Sequence, residues 1–581
     1  LHKARPAEEA GCMSDTREQT GAGSDGDAAG STGAGGRTDA GGRPDALGST
    51  GTQDSTGTQD STGTQDSTDG GGQGRGGVTA RGGLAESVDV SQRQDVQKLR
   101  KNAVGLFGVL FLTVTGAAPI SAMLFNTPIA VGFGNGIGTP AGFMFAAVIL
   151  VIFSVGYTTM ARKKTTAGGF YSYISHGLGR EIGMGTGFGS LLAYSVFEAS
   201  LCGGFAYFAD LKLAQFGVHI AWPWLALAMV AIISALAYFD IHLSSMVLGA
   251  GLITEVVILL IFDGAMFAHG GLPLAALNPV NAFKGFPAAR GLAAGAVGIG
   301  LFFAFWSWVG FESAPNYGEE SMDPKKIVPR ALYISVIGLG VFYTMTSWAP
   351  FAGYPGTHAA VAQAQTNAAQ YYLTPANAIA GRWVGSLLSY LIITGSFACG
   401  MAFHNTTSRY FYALGREGLL PRALGKTHNR WKSPHIASFT QSVIAALIVI
   451  GFAVFVGSND PSTQAYLQLY GLMAVMGVIV ILSVQALVSL SILVYFERRH
   501  PGEVHWWKTR LAPAISFVSQ VLVVVVLFKN ILFLGSGYHY AIWLGPIDLV
   551  VVLLGVGGAF YLKTRNREKY ESAGRLINEG L

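Results

Sequence analysis

Four carboxylates stand inside the otherwise apolar stretches between residues 103 and 495: Glu198, Glu255, Asp263 and Glu312. A charge at the middle of a hydrocarbon layer costs at least about 2.5 kcal/mol, so each of these acids needs a partner, a proton or a water-filled cavity. The chemistry that suits them is proton carriage. Glu255 and Glu312 are the preferred proton-coupling groups, Glu198 is a third coupling or gating candidate, and Asp263, near the outer end of its stretch, is expected to reach water. For Glu312 a second reading is compatible with the first, a carboxylate accepting hydrogen bonds from freed main-chain amides. His404, near the end of its span, reads as a solvated or packed histidine in preference to a relay, and Glu319-Glu320 as solvated acids facing Lys325, Lys326 and Arg330, in a position to latch that face.

Two apolar stretches are interrupted by glycine and proline. The first is Leu112-Thr-Val-Thr-Gly116-Ala-Ala-Pro119-Ile-Ser121, where the ring of Pro119 removes a donor and frees the carbonyl of Thr115. The second is Phe303-Ala-Phe-Trp306-Ser-Trp308-Val-Gly310-Phe-Glu312-Ser-Ala-Pro315-Asn. The N-terminus of a half-helix holds a carboxylate, and unwound carbonyls hold a cation, so corresponding breaks in two halves of a membrane protein mark a solute site. Proline kinks that only shape packing are the alternative for either stretch taken alone.

The elements that must position these residues are membrane helices. Half of the 581 residues are hydrophobic and 12% are charged, about half the charged share of a soluble globular chain. From Ala103 onward twelve apolar segments follow, at about 103–126, 141–161, 182–208, 222–239, 243–268, 291–316, 331–352, 376–404, 435–457, 466–495, 511–531 and 541–562. Each is long enough to cross a hydrocarbon layer of about 30 Å, and backbone in lipid must be satisfied within its own helix. With both termini on one side, that side collects twenty-five basic residues against five on the other, which predicts cytoplasmic termini.

Ahead of the spans lies a different kind of sequence. Residues 1–95 hold eight basic and fifteen acidic groups, net −7, which leaves +12 for the rest of a chain whose total is +5. This Gly/Ser/Thr/Asp-rich segment repeats Ser-Thr-Gly-Thr-Gln-Asp three times between Ser49 and Asp66 and is expected to be disordered. No secretory signal opens the chain, so the first apolar segment is expected to direct its own insertion. The basic balance belongs to a membrane composition and excludes a nucleic-acid reading. Cys12, Cys202 and Cys399 make neither a disulfide framework nor a zinc spacing. No phosphate-binding loop is present, which leaves ATP-driven pumping unsupported, and no filter motif favours a channel. No metal or cofactor is expected.

Three motifs carry a family resemblance. One runs from Phe305-Trp-Ser-Trp-Val-Gly-Phe-Glu312-Ser-Ala through Glu319-Glu320 to Pro324-Lys-Lys-Ile-Val-Pro329-Arg330-Ala. The second is Ser408-Arg409-Tyr-Phe-Tyr-Ala-Leu-Gly-Arg416-Glu-Gly-Leu-Leu-Pro421, continuing to Ser433-Pro434, and the third is Ala167-Gly168-Gly169-Phe-Tyr171-Ser-Tyr173. Over residues 98–495 the chain resembles the amino acid/polyamine/organocation permeases. The resemblance implies two inverted five-helix repeats, a substrate held between the broken first and sixth helices, and alternating access. It also implies that the first-helix site lies at Gly116, Ala117, Ala118, Ile120, Ser121 and Ala122, where the family's amides and serine hydroxyl bind a carboxylate. Ser121 matches, but Ile120 and Ala122 replace flanking glycines, which alters close approach and suits a substrate whose acid is differently placed or absent. On the sixth helix the resemblance makes Trp306 the gating aromatic, Val309 the side-chain pocket, Gly310 the bend and Glu312 a proton-responsive or gate-linking acid; Trp308 reads as a lipid or packing contact. The fifth span has no lysine to stand in for sodium, and the eighth has no Ser/Thr pair at mid-depth, so a proton is preferred over sodium.

The expectation is an all-α integral membrane protein with twelve transmembrane helices, a five-plus-five inverted-repeat core and two peripheral helices. Its parts are the tail at 1–95, a first repeat at 96–268, a second at 291–495, peripheral helices at 511–562 and a cytoplasmic tail at 563–581. The function expected from the resemblance is secondary transport of an amino acid across the plasma membrane, proton-coupled and non-enzymatic. The rivals are a polyamine or cationic amino acid carrier, which three deep glutamates would suit, and a transporter-like solute sensor that signals through the tail.

Overall fold

The computed structural model describes residue 99 and residues 102–572, without 165–167, 239–240, 290, 456–462 and 536–538. They lie in the second of two units into which the chain divides, residues 87–581. The tail expected to be disordered, residue 239 at the end of the fourth apolar segment, Ala167 of the third motif and residues 573–581 of the C-terminal tail fall outside the described residues.

Amides and carbonyls find no water inside a hydrocarbon layer, and the chain answers with helix. Among the described residues no strand forms, and pairing is confined to three isolated bridges. The long helices are α1 (Leu106–Gly134), α2 (Gly136–Lys163), α3 (Arg180–Ala214), α4 (Trp222–Tyr238), α5 (Ile241–His269) and α6 (Val297–Tyr317). They continue as α7 (Pro324–Gly353), α8 (Arg382–Arg416), α9 (His435–Phe455), α10 (Gln468–Arg499), α11 (Trp506–Lys529) and α12 (His539–Arg565). Among the described residues eleven helices are long and apolar enough to cross a membrane, and α4, with 17 residues, is a shorter apolar helix. At about 1.5 Å per residue α4 covers about 26 Å, a little under the thickness of the hydrocarbon layer. The twelve expected crossings therefore stand as eleven full-length helices and one short one.

Burial separates the helices into a centre and a rim. The most apolar stretches of α6, α3 and α1 are 89%, 78% and 72% buried, against 22% for α12 and 28% for α9. Rim helices turn large apolar side chains outward, Leu447 and Val454 on α9, Leu522 on α11 and Leu554 on α12. That is the pattern of helices solvated by lipid.

The two central helices α1 and α6 are both interrupted. In α1 the regular α-helix ends at Ala117; Ala118 turns left-handed at φ +46°, and Pro119 begins the next turn. Beyond it the helix widens into π turns at Ala122–Asn126 and Ala130–Gly134. In α6 the α-helix ends at Trp306, Gly310 takes φ +115°, and a 3-10 turn carries Phe311–Tyr317. The breaks touch each other. A Cβ on Gly116 would stand 3.3 Å from the Cα of Gly310, so the two backbones approach as closely as two glycines permit.

Candidate substrate site

The breaks of α1 and α6, with α3, α8 and α10 around them, enclose a cavity of about 20 Å³. That is room for a water molecule and not for an amino acid. Its wall is made by Gly116, Ala117, Ala118, Ser121 and Ala122 of α1, Trp306 and Val309 of α6, Phe197 and Leu201 of α3, Cys399 and Phe403 of α8, and Tyr470 of α10. None of these side chains is charged.

The polar groups released by the α1 break are almost all used. The hydroxyl of Tyr343 donates to the Ala117 carbonyl at 2.8 Å, and the Cys399 thiol to the Gly116 carbonyl at 3.4 Å. The Ile120 amide donates to the Glu255 carboxylate. One side chain at the cavity is left over, because the Ser121 hydroxyl is buried and has no partner among the described residues. A buried hydroxyl without a partner costs about 1–3 kcal/mol, so this oxygen is set to receive or donate a hydrogen bond from a solute.

Seven of the ten α1 and α6 positions singled out in the sequence thus line the cavity, and three do not. Ile120 turns to α8, where a Cβ on Gly395 would collide with its side chain, and offers only its amide, to Glu255. Gly310 supplies the touch with Gly116. Glu312 caps the α6 break: Oε2 accepts the Gly310 amide at 2.9 Å, Oε1 accepts the Tyr194 hydroxyl at 2.8 Å, and Tyr157 donates to the Glu312 carbonyl at 3.0 Å. Glu255 is buried between α5, Ile120 and Gly395. Glu198 stands outside the cavity, with both carboxylate oxygens 3.0 Å from Nδ1 of His404.

Two expectations are corrected and one is narrowed. Asp263 does not reach water; it is 1% exposed and accepts the Thr346 hydroxyl at 2.6 Å, because α7 and the segment after it cover the end of α5. Of the two readings of His404 the packed one holds, since it is fully buried against Glu198 and Ser438. Glu319 and Glu320 are not solvated acids facing Lys325, Lys326 and Arg330. Arg409 of α8 forks onto Glu320 at 2.7 and 3.0 Å, and Arg416 onto Glu319 at 2.6 and 3.0 Å. One α-helical face of α8 delivers both arginines, seven residues apart, to the exit of α6.

The two sides of the cavity differ. Trp306 and Tyr470, with ring centroids 5.9 Å apart, line both the cavity and a vestibule of about 490 Å³ on the side of Phe133 and Gln365. These two aromatic rings are shared by both linings. Toward the opposite face, where the basic loops gather, stand the Tyr194–Glu312 bond, the Arg409–Glu320 and Arg416–Glu319 pairs and the Tyr171–Glu417 hydrogen bond. There the amides of Ala103 and Val104, just ahead of α1, also donate to the Glu320 carbonyl at 2.9 and 3.1 Å. The entrance of α1 and the exit of α6 are therefore tied to each other, and through Glu320 to α8.

Sequence reasoning missed the walls that come from α3, α8 and α10. It also missed Asn126, which links α1 to Ser307 of α6 and accepts the Tyr470 hydroxyl, each at 3.0 Å. A polar amide inside an apolar run was an available signal for Asn126. Phe197, Leu201, Phe403 and Tyr470 gave none, since an aromatic or leucine facing the cavity looks like one facing lipid.

Comparison with known proteins bears on the same region. A model of the amino acid permease family matches residues 104–551. The low-affinity putrescine importer PlaP of Escherichia coli is 24% identical over 321 residues, which are 53% of this chain and 66% of that protein. The branched-chain amino acid permease BcaP of Lactococcus lactis is 26% identical over 365 residues, 59% of this chain and 74% of the relative. Its counterpart in Bacillus subtilis is 22% identical over 369 residues, 61% of this chain and 75% of the relative. The chain thus spans just under two thirds of the putrescine importer's length and about three quarters of the branched-chain permeases'.

Proposed function

The chain belongs to the amino acid permease family, and on that premise we propose that it is a secondary transporter of small neutral amino acids, working by alternating access around the breaks of α1 and α6. One observation carries the choice of substrate. The cavity between the breaks has an unpartnered serine hydroxyl, an apolar wall of Phe197, Leu201, Val309 and Phe403, and no carboxylate. A diamine needs an acid at each end of its site, and a cationic side chain needs at least one, whereas an aliphatic side chain needs what this wall supplies. The putrescine reading, suggested by one relative, lacks that acid here: Glu255, Glu312 and Glu198 are all engaged behind the wall.

The reading includes two inverted five-helix repeats at 96–268 and 291–495, each opening on a broken helix, with the basic face and both termini in the cytoplasm. The conformation is closed on the basic face by the Glu320–Arg409 and Glu319–Arg416 pairs and parted from the vestibule by Trp306 and Tyr470. Substrate enters when these two rings move and leaves when the ion pairs open. For coupling, a proton on Glu255 is favoured over sodium, because the carbonyls of Gly116 and Ala117 that a cation would use are taken by Cys399 and Tyr343. Glu255 bonds the Ile120 amide next to Ser121, so its charge state reaches the substrate site through one residue.

A thermal-shift screen of the purified protein against the neutral amino acids, arginine and putrescine tests the substrate class, since a ligand of the native state raises Tm by mass action. A shift with leucine, valine or alanine and none with putrescine is expected. A shift with putrescine or arginine alone would overturn the assignment.

A further inference from the structure

Behind the cavity, on the side away from the α1 break, lies a second buried polar centre that the transport reading above does not use. It rests on three helices. Glu198 of α3 faces His404 of α8, Nδ1 lying 3.0 Å from each carboxylate oxygen, and Gln441 of α9 donates to Oε2 at 2.7 Å. The other ring nitrogen of His404, Nε2, is 2.8 Å from the Ser438 hydroxyl of α9, and Ser195 of α3 donates to the Gln441 side-chain oxygen at 2.8 Å. Glu198, His404 and Gln441 are fully buried.

Well-packed apolar residues would hold three helices together without the desolvation of two ionisable groups, so cohesion alone does not account for this centre. Its surroundings add a direction. Ser438 sits one turn into α9, whose first residue, His435, keeps a buried Nδ1 without a partner among the described residues. His435 stacks edge-on to His428 at 5.4 Å between centroids, and both rings pack on Tyr238 at the basic face. His428, His435, Ser438, His404 and Glu198 form a series of proton-carrying groups from that face to mid-helix. At its inner end the neighbours of the pair in sequence, Phe197 and Phe403, are cavity walls that pack on each other at 5.1 Å, and Phe197 packs on Trp306 at 5.3 Å.

We propose that the Glu198–His404 pair is a proton-binding site, loaded from the basic face through His435 and Ser438, whose occupancy tunes the Phe197–Phe403 wall of the substrate cavity. With Nδ1–H on Glu198 and Nε2 accepting from Ser438, the imidazole is neutral and the pair carries one negative charge. Ser438 passes its hydroxyl proton to Nε2 and takes another from the His435 side, which leaves an imidazolium against a carboxylate and a pair with no net charge. Chains of acid and histidine inside membrane proteins carry protons in this way. Other titratable groups on the packed elements are engaged elsewhere or set apart. Tyr194 is on Glu312, Glu255 on the Ile120 amide, Arg409 on Glu320 and Tyr470 on Asn126. Cys202 of α3 is set against Glu198, and α4 has no titratable side chain from Trp222 to Ala237. On α12, Asp548 stands one turn from Val552, which packs on Gly189, and so falls more than a turn short of Glu198 along α3.

The proposal rests on the transport reading for its consequence but not for its test. pH-difference infrared spectra of the full chain in liposomes, with no solute present, are expected to show an imidazole protonation band that disappears in His404→Gln and is altered in Glu198→Gln. Uptake of labelled leucine is then measured against pH on the basic-face side. His404→Gln is expected to flatten the pH profile of the wild type while keeping the gradient-driven accumulation assigned to Glu255, and Ser438→Ala to slow the response of uptake to a pH jump on that side. A band unchanged in His404→Gln, or a variant that keeps the wild-type pH profile, overturns the proposal. Should His404→Gln fail to fold, the isosteric Glu198→Gln is held to the same two criteria. If no solute is taken up by the wild type, the transport reading falls while the infrared result still decides whether the pair binds a proton.

Discussion

Replacing Glu320 by Gln should open the cavity toward the basic face. Glu320 and Arg409 are 3% and 2% exposed, with two charge-assisted bonds between them, and Arg409 further donates to the Asn405 carbonyl at 2.7 Å. Removing one charge of a buried pair costs about 3–5 kcal/mol, since the other is left without compensation. A conformation open to this face must part Glu320 from Arg409, so nearly all of that cost falls on the closed state. At about 1.4 kcal/mol per tenfold, 3 kcal/mol corresponds to about a 150-fold shift toward the open state. The cavity contains its own reporter, the thiol of Cys399. In a protein with Cys12 and Cys202 changed to Ser, a membrane-impermeant thiol reagent applied from the basic face should modify Cys399 about 100-fold faster in Glu320→Gln than in the parent. Replacing both partners, as Glu320→Leu with Arg409→Met, should bring the rate back toward the parent's, because the buried charge is then gone. A Glu320→Gln protein that folds and binds leucine, yet labels within about twofold of the parent, would refute the assignment of this pair as the gate.

Four further outcomes follow from the geometry. Ser121→Ala should raise the KM for a neutral amino acid about fivefold, the worth of one hydrogen bond of about 1 kcal/mol, with little change in the maximal rate; uptake kinetics check it. Gly310→Ala should abolish uptake, since φ +115° disfavours a side chain and the new Cβ would stand 2.7 Å from the Gly116 carbonyl oxygen; expression level and Tm measured alongside separate this from a failure to fold. Glu255→Gln should retain leucine counterflow but lose accumulation driven by an imposed proton gradient, and unchanged accumulation would remove Glu255 from coupling. On the basic face outside the spans, burial lowers His176 to about 4, with Lys164, Arg499 and Arg180 pushing the same way. The folded state thus binds this proton less readily than the unfolded one, so stability should fall as pH drops from about 6.5 to about 4, and Tm of the wild type should fall relative to His176→Gln over that window.

Much of this protein was legible in one dimension because the membrane imposes one-dimensional rules. Apolar length reports a helix, and glycine with proline at corresponding depths reports a break; both statements need only neighbours along the chain. Ile120 shows where such reading stops. Its place in the motif put it at the site, but on a helix that restarts at Pro119 its side chain points to Gly395 and only its amide serves, to Glu255.

Partnership was decided by the tertiary structure alone. Glu320 lies next to Lys325 and Lys326 in sequence, and nearness suggested solvated pairs; its partner is Arg409, 89 residues on, carried there by the helix-periodic face of α8. Glu198 and His404 are 206 residues apart, and neither carries a mark of the other. The presence of an acid in a membrane is a local fact, because the cost of burying its charge is set by the apolar run around it. What offsets that cost is chosen by which helix packs alongside, and helix packing is fixed by side-chain shape across the whole bundle, which no stretch of sequence contains.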